Sequence, residues 1–164
     1  MQYFRLIFLV FIVAAVSGCA NKFKTYNGPE VTQLYVLKSE RKLVLMHHDT
    51  VLEQYEIDLG FAPDGDKKIE GDGRTPEGDY FIDRRNPNSD FHLSIGISYP
   101  NEYDIAEAKA LGQPPGGDIF IHGRGPIYRK AGADWTWGCI AVTDREMERI
   151  YAMVQDGTPI TILP

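Results

Sequence analysis

Cysteine is scarce in this chain, with only Cys19 and Cys139 among 164 residues. A disulfide framework of the kind that staples small extracellular domains is therefore excluded. Basic residues are also in the minority, 17 Lys and Arg against 23 Asp and Glu. Binding phosphate backbones needs a basic face, so nucleic acid is excluded as a partner. No apolar run reaches the roughly 20 residues that a hydrocarbon core demands. The sequence also lacks internal repeats and low-complexity tracts, and its 43% apolar composition is that of a globular chain.

The longest apolar run, Leu6 to Val16, is preceded by a single charge, Arg5, and followed by small residues ending in "VSGC". Its length and flanks read as the h-region of a signal peptide. The ending resembles the lipobox of bacterial lipoproteins, in which the cysteine after the cleavage site is acylated and becomes the first residue. That resemblance implies a signal peptide over residues 1–18 and lipid on Cys19. Ala20 and Asn21 follow where an aspartate would retain such a protein at the inner membrane, so it also implies the outer membrane, facing the periplasm. An ordinary signal peptide with a nearby cysteine is the alternative. Residues 19–30, polar with Gly28 and Pro29, read as a tether, and 31–164 as one domain. Removal of Arg5 with the leader leaves 16 basic against 23 acidic side chains. With Cys19 lipidated, Cys139 has no disulfide partner in an oxidising compartment, where an unpaired thiol is either functional or hidden.

Short segments rich in Val, Ile, Leu and Tyr succeed one another between polar breaks. "VTQLYVLK", "RKLVLMHH" and "VLEQYEIDL" read as three antiparallel strands joined by hairpins. "GDYFIDR", "FHLSIGIS", "DIFIHG", "CIAV" and "PITIL" are further strands. The fold expected is mainly β, a sandwich or barrel with a few short helices. One helix is expected over Glu102–Gly112. The other is "TDREMERIYAMVQDG", with Thr143 and Glu146 at capping-box spacing, Met147, Ile150, Tyr151 and Val154 on one face, and Gly157 in the C′ position. Cys139 would then sit just ahead of a helix N-terminus.

A catalytic thiol has to lose its proton, and an imidazole is the usual acceptor. Of the four histidines, His122 is best placed: it closes an apolar strand and opens the loop Gly123-Arg124-Gly125-Pro126. A structural strand-end histidine is the competing reading. Adjacent His47 and His48 point to opposite faces of a strand and cannot chelate together, so neither metal nor cofactor is expected.

His122-Gly123, followed by "TWGC" with Cys139 seventeen positions after the histidine, resembles the signature of the L,D-transpeptidase catalytic domain. "GDGRTPEGDYFI", "FHLSIGISYPNEYD" and "GGDIFIHG" extend the resemblance over about Val31 to Pro164. It implies an enzyme acting on peptidoglycan stem peptides. Cys139 would attack the carbonyl of the diaminopimelate residue, expel D-alanine and hold a thioester that an amine resolves. His122 would act as base and then acid, and the N–H groups of Gly138 and Cys139 would meet the oxyanion. Thr136, Gly123, Trp137 and Tyr99 are candidate substrate contacts; of Trp135 and Trp137, one is expected to wall the pocket and the other to pack inside. The sequence departs from the pattern at Ala141, where most members carry arginine, and in a slightly short His-to-Thr spacing. Arg124 and Arg129 become the candidate substitutes for holding the donor carboxylate. Two readings stay open beside transpeptidation: a cysteine amidase using the same acyl-enzyme, and a non-catalytic peptidoglycan-binding lipoprotein.

Overall fold

The computed structural model describes residues 21–164. Cys19 and the leader lie outside the described residues. The elements are β1 (Gln33–Leu37), β2 (Lys42–His47), β3 (Thr50–Glu56), β4 (Gly78–Asn86), β5 (Ser94–Ile97), α1 (Glu102–Ala110), β6 (Phe120–His122), β7 (Ile140–Ala141), α2 (Asp144–Met153) and β8 (Pro159–Leu163). No helix among the described residues is long and apolar enough to cross a membrane.

All eight strands form one sheet in the order β3-β2-β1-β8-β4-β5-β6-β7. The first three strands are antiparallel hairpin neighbours, as their spacing in sequence implies. The last strand, β8, inserts between β1 (parallel) and β4 (antiparallel) and so joins the two halves of the sheet. Alternation along the strands decides what goes inside: Leu34 and Val36 of β1, Tyr80 and Ile82 of β4, and Ile160 and Ile162 of β8 are buried while their neighbours turn outward. Each such aliphatic side chain contributes about 1.5–3 kcal/mol by leaving water.

The sheet curls until its two edges meet. Beyond β3 the chain continues to Asp58, which exchanges two backbone hydrogen bonds with Ala141 of β7 at 2.9 and 2.8 Å. Thr136 N–H then donates to Leu59 O (3.1 Å) and Phe61 N–H to Thr136 O (2.9 Å). These bridges cover the outer edge of β7, which would otherwise be open to pairing with another strand. They also fix both ends of the segment 136–141.

Helix α2 covers β5 and β6 with Met147, Ile150 and Met153. Its start is the expected capping box: Thr143 Oγ1 accepts from Glu146 N–H while the Glu146 carboxylate accepts from Thr143 N–H. Its end differs from expectation. The helix stops at Met153 with Val154 extended, and Gly157 instead sits in the following turn, donating to Ile82 O at 2.7 Å. Burial of Val154 is the reason: the chain leaves the helix early to put that side chain into the core. Helix α1 ends as the sequence suggests, with Gly112 N–H on Lys109 O and Gln113 N–H on Ala108 O. Residues 21–30 lie against the domain: the Lys22 ammonium donates to Pro87 O (2.6 Å) and His92 O (3.1 Å), and Phe23 packs on Tyr151.

Candidate active site

The turn Thr136-Trp137-Gly138-Cys139 is built around one hydroxyl. Buried Thr136 donates through Oγ1 to Cys139 O (2.7 Å) and accepts from Gly138 N–H (3.1 Å). Gly138 has φ +122°, and a Cβ there would stand 2.5 Å from Arg74 O. Both conformation and space therefore demand glycine. Ile140 immediately enters the ladder with β6, so the backbone carrying the thiol is held on both sides.

The Cys139 sulfur is half-buried and donates to Asp118 O at 3.5 Å. Burial pushes the thiol up to about 11; the Phe120 N–H aimed at the sulfur opposes that shift, the Asp118 charge adds to it, and the Lys67 charge opposes it.

His122 ends β6 and is buried, its ring packed against Phe91 (centroids 4.3 Å) with Trp135 at 5.8 Å edge-on. Its Nδ1 lies 2.6 Å from Gly123 O. A carbonyl can only accept, so Nδ1 carries the proton and Nε2 keeps a free lone pair. Burial lowers the imidazole's pKa below its ordinary value, and the Gly123 hydrogen bond opposes that shift. Both members of the pair are thus pushed toward neutrality at rest.

Gly123 is required here by packing. A Cβ would meet Asp144 Oδ1 at 2.6 Å and Phe91 O at 2.7 Å. Asp144, the first residue of α2, accepts from the N–H groups of Arg124 and Gly125, each at 2.8 Å, and so clamps the turn after the histidine to the helix.

His122 and Cys139 line one cavity of about 270 Å³ together with Asn86, Phe91, Ser94 and Phe120. Cys139 also lines a second cavity of about 460 Å³ with Lys67, Glu70, Gly116, Ile119 and Trp137. The thiol is common to both. The other histidines are elsewhere: His47 bonds Glu30 O, His48 sits in the β2–β3 turn, and His92 pairs with Glu148 at 3.0 Å.

Several residues singled out in the sequence have other work. Gly138 N–H is taken by Thr136, so only the Cys139 N–H, which has no acceptor among the described residues, is open to an oxyanion. Arg124 forms an ion pair with Asp58 and donates to Ala131 O (2.9 Å), tying the loop to the barrel wall. Arg129 is exposed on that loop and lines neither cavity. Tyr99 is buried, its hydroxyl donating to Pro115 O (2.9 Å), and supports the segment leading to Asp118 from behind. Trp137 is 72% exposed, set edge-on to Phe61 (4.9 Å), at the wall of the larger cavity, whereas Trp135 is half-buried and stacks on Tyr128. Asp144 and Lys67 were not legible as site residues. Asp144 belongs to the recognised helix start, and that position was the signal; Lys67 lies in a turn-rich stretch where charge is ordinary.

A barrel wall that carries His-Gly at the end of one strand and Thr-x-Gly-Cys in the turn that enters its parallel neighbour defines a class. The chain belongs to the YkuD family, the L,D-transpeptidase catalytic domain, whose family model matches residues 32–162. It is 28% identical over 127 residues to the Escherichia coli (strain K12) protein named "Putative L,D-transpeptidase YafK", covering 74% of this chain and 46% of that one. Among solved structures it is similar to the helical cell shape determining protein Pgp2 of Campylobacter jejuni, with TM-score 0.64, 28% identity, and coverage of 88% of this chain and 51% of that chain. Mycobacterium tuberculosis L,D-transpeptidase 1, at TM-score 0.53, 13% identity and coverage of 82% and 62%, shares the fold. The chain spans about half the length of the curated relatives it matches.

Proposed function

We propose that this protein is a peptidoglycan L,D-transpeptidase working through a thioester on Cys139. The observation that carries the reading is the shared cavity of His122 and Cys139, with the imidazole's Nδ1–H fixed on Gly123 O and its other nitrogen free. Because burial holds thiol and imidazole neutral, His122 Nε2 takes the Sγ proton as the sulfur attacks the donor carbonyl, rather than storing an ion pair beforehand. The Cys139 N–H supports the oxyanion, a donor of this kind lowering the barrier by roughly 3 kcal/mol. The imidazolium returns the proton to the departing D-alanine amine as the C–N bond breaks. An acceptor amine then attacks the thioester and gives its proton to His122, which passes it to the Cys139 sulfur as the C–S bond breaks. Trp137 walls the larger cavity, and Thr136 and Gly123 act by shaping the turn and orienting the imidazole.

On the same reading Cys19 carries lipid and holds the enzyme at a membrane, the outer membrane by its Ala20-Asn21 sequence, in the periplasm. Anchoring keeps the site at high effective concentration near the wall. Incubation of purified protein with defined muropeptides, followed by mass spectrometry, tests the proposal: crosslinked dimers or exchange of the terminal D-amino acid are expected. Only shortened or released peptides would make it an amidase, and no change beyond binding would make it a non-catalytic lipoprotein.

A further inference from the structure

Two lysines of this domain have side chains only 3% exposed, Lys38 and Lys67. An ammonium brings three donors and no acceptor into the interior, and each needs a partner. Lys38 satisfies all three, on Gly65 O, Thr75 O and Glu77 Oε1. Lys67 satisfies two, on Ile69 O at 3.0 Å and Asp72 Oδ1 at 2.9 Å. Its third donor has no acceptor among the described residues, and the residue lines the 460 Å³ cavity that Cys139 shares. Asp72 also accepts from the N–H groups of Lys68, Ile69 and Arg74 at 2.8 to 3.1 Å, so its charge is spread over the loop while the loop holds the ammonium in place.

The other charges on these walls leave that position open. Glu70 is exposed, and the Asp118 side chain, 91% exposed, is turned to Arg84. Among the described residues lining the two cavities at Cys139, Lys67 is the only cation. Ala141, where the family pattern places arginine, is fully buried in the wall, and Arg124 is committed to Asp58. We propose that Lys67 binds the side-chain carboxylate of the donor's diaminopimelate residue in the larger cavity and sets the enzyme's preference for donors that carry it. The inference rests on the transpeptidase reading and deepens it to substrate choice.

The test compares two tetrapeptide donors, one with a free carboxylate on the side chain of its diaminopimelate residue and one with that group as the primary amide. Thioester formation is timed by intact mass. Wild-type protein is expected to acylate about 10- to 100-fold faster with the acid, the range of a charge-assisted hydrogen bond. Lys67→Met combined with Asp72→Asn, which leaves no carboxylate alone in the interior, should bring the two rates within about threefold, and Lys67→Arg should keep the preference. Equal wild-type rates overturn the inference whether or not the double variant folds, as does a folded double variant with the wild-type preference. A wild-type protein that forms no thioester with either peptide overturns the functional reading itself.

Discussion

At the residue scale, the thiol and the imidazole are both moved away from charge by burial, and the pH profile follows. His122 must be unprotonated to act as base, and its pKa lies below the ordinary 6.5. Acylation should therefore rise with pH below 6.5, level off through neutrality, and show no further thiol ionisation until near 11. A stopped-flow or quenched profile checks this; a rate that climbs through pH 8 to 9 contradicts it. Stability carries the same signature with opposite limbs. Below 6.5 the unfolded imidazole takes a proton that the folded one refuses, so stability falls with falling pH. Above about 9 the unfolded thiol ionises while the folded one does not, so stability falls with rising pH, and Cys139→Ala should flatten that alkaline limb. His122→Ala should slow acylation by about 10²- to 10⁴-fold.

At the element scale, the start of α2 does two separable things. Thr143→Ala removes a cap and should cost about 1 kcal/mol in denaturant unfolding, with acylation little changed. Asp144→Ala strips the acceptor from the Arg124 and Gly125 N–H groups, costing about 1–3 kcal/mol, and frees the turn whose carbonyl orients His122, so acylation should fall as well. Strands were legible from apolar runs between polar breaks and α2 from its capping-box spacing, because those signals are local. The helix end was not: Val154 reads as a helical residue in sequence, and only the core to which it is drawn makes the chain leave the helix there.

At the scale of the whole molecule, closure of the barrel brings the site together. The bridges from Asp58 and Leu59 to Ala141 and Thr136 join segments more than 70 positions apart, and no local pattern announces them. That His122 and Cys139 line one cavity is announced in the sequence by the motif that the two share with a family. The ion pair of Arg124 is hidden from the sequence because its partner Asp58 lies across the closure. Arg124→Met should therefore destabilise the fold by about 1–3 kcal/mol, the cost of leaving a half-buried carboxylate without its partner, with loss of donor affinity no larger than the loss of folded protein explains. A variant of unchanged stability with a raised KM for donor would instead make Arg124 a substrate anchor.

The central claim is that the Cys139 sulfur is the group acylated by the donor, with His122 as its base. Intact-mass spectrometry of the purified protein after exposure to a carbapenem or a tetrapeptide donor tests it most directly. The account predicts one covalent adduct, mapped to Cys139, absent from Cys139→Ala and slow to form in His122→Ala. An unmodified wild-type mass, or an adduct that persists in Cys139→Ala, would contradict it.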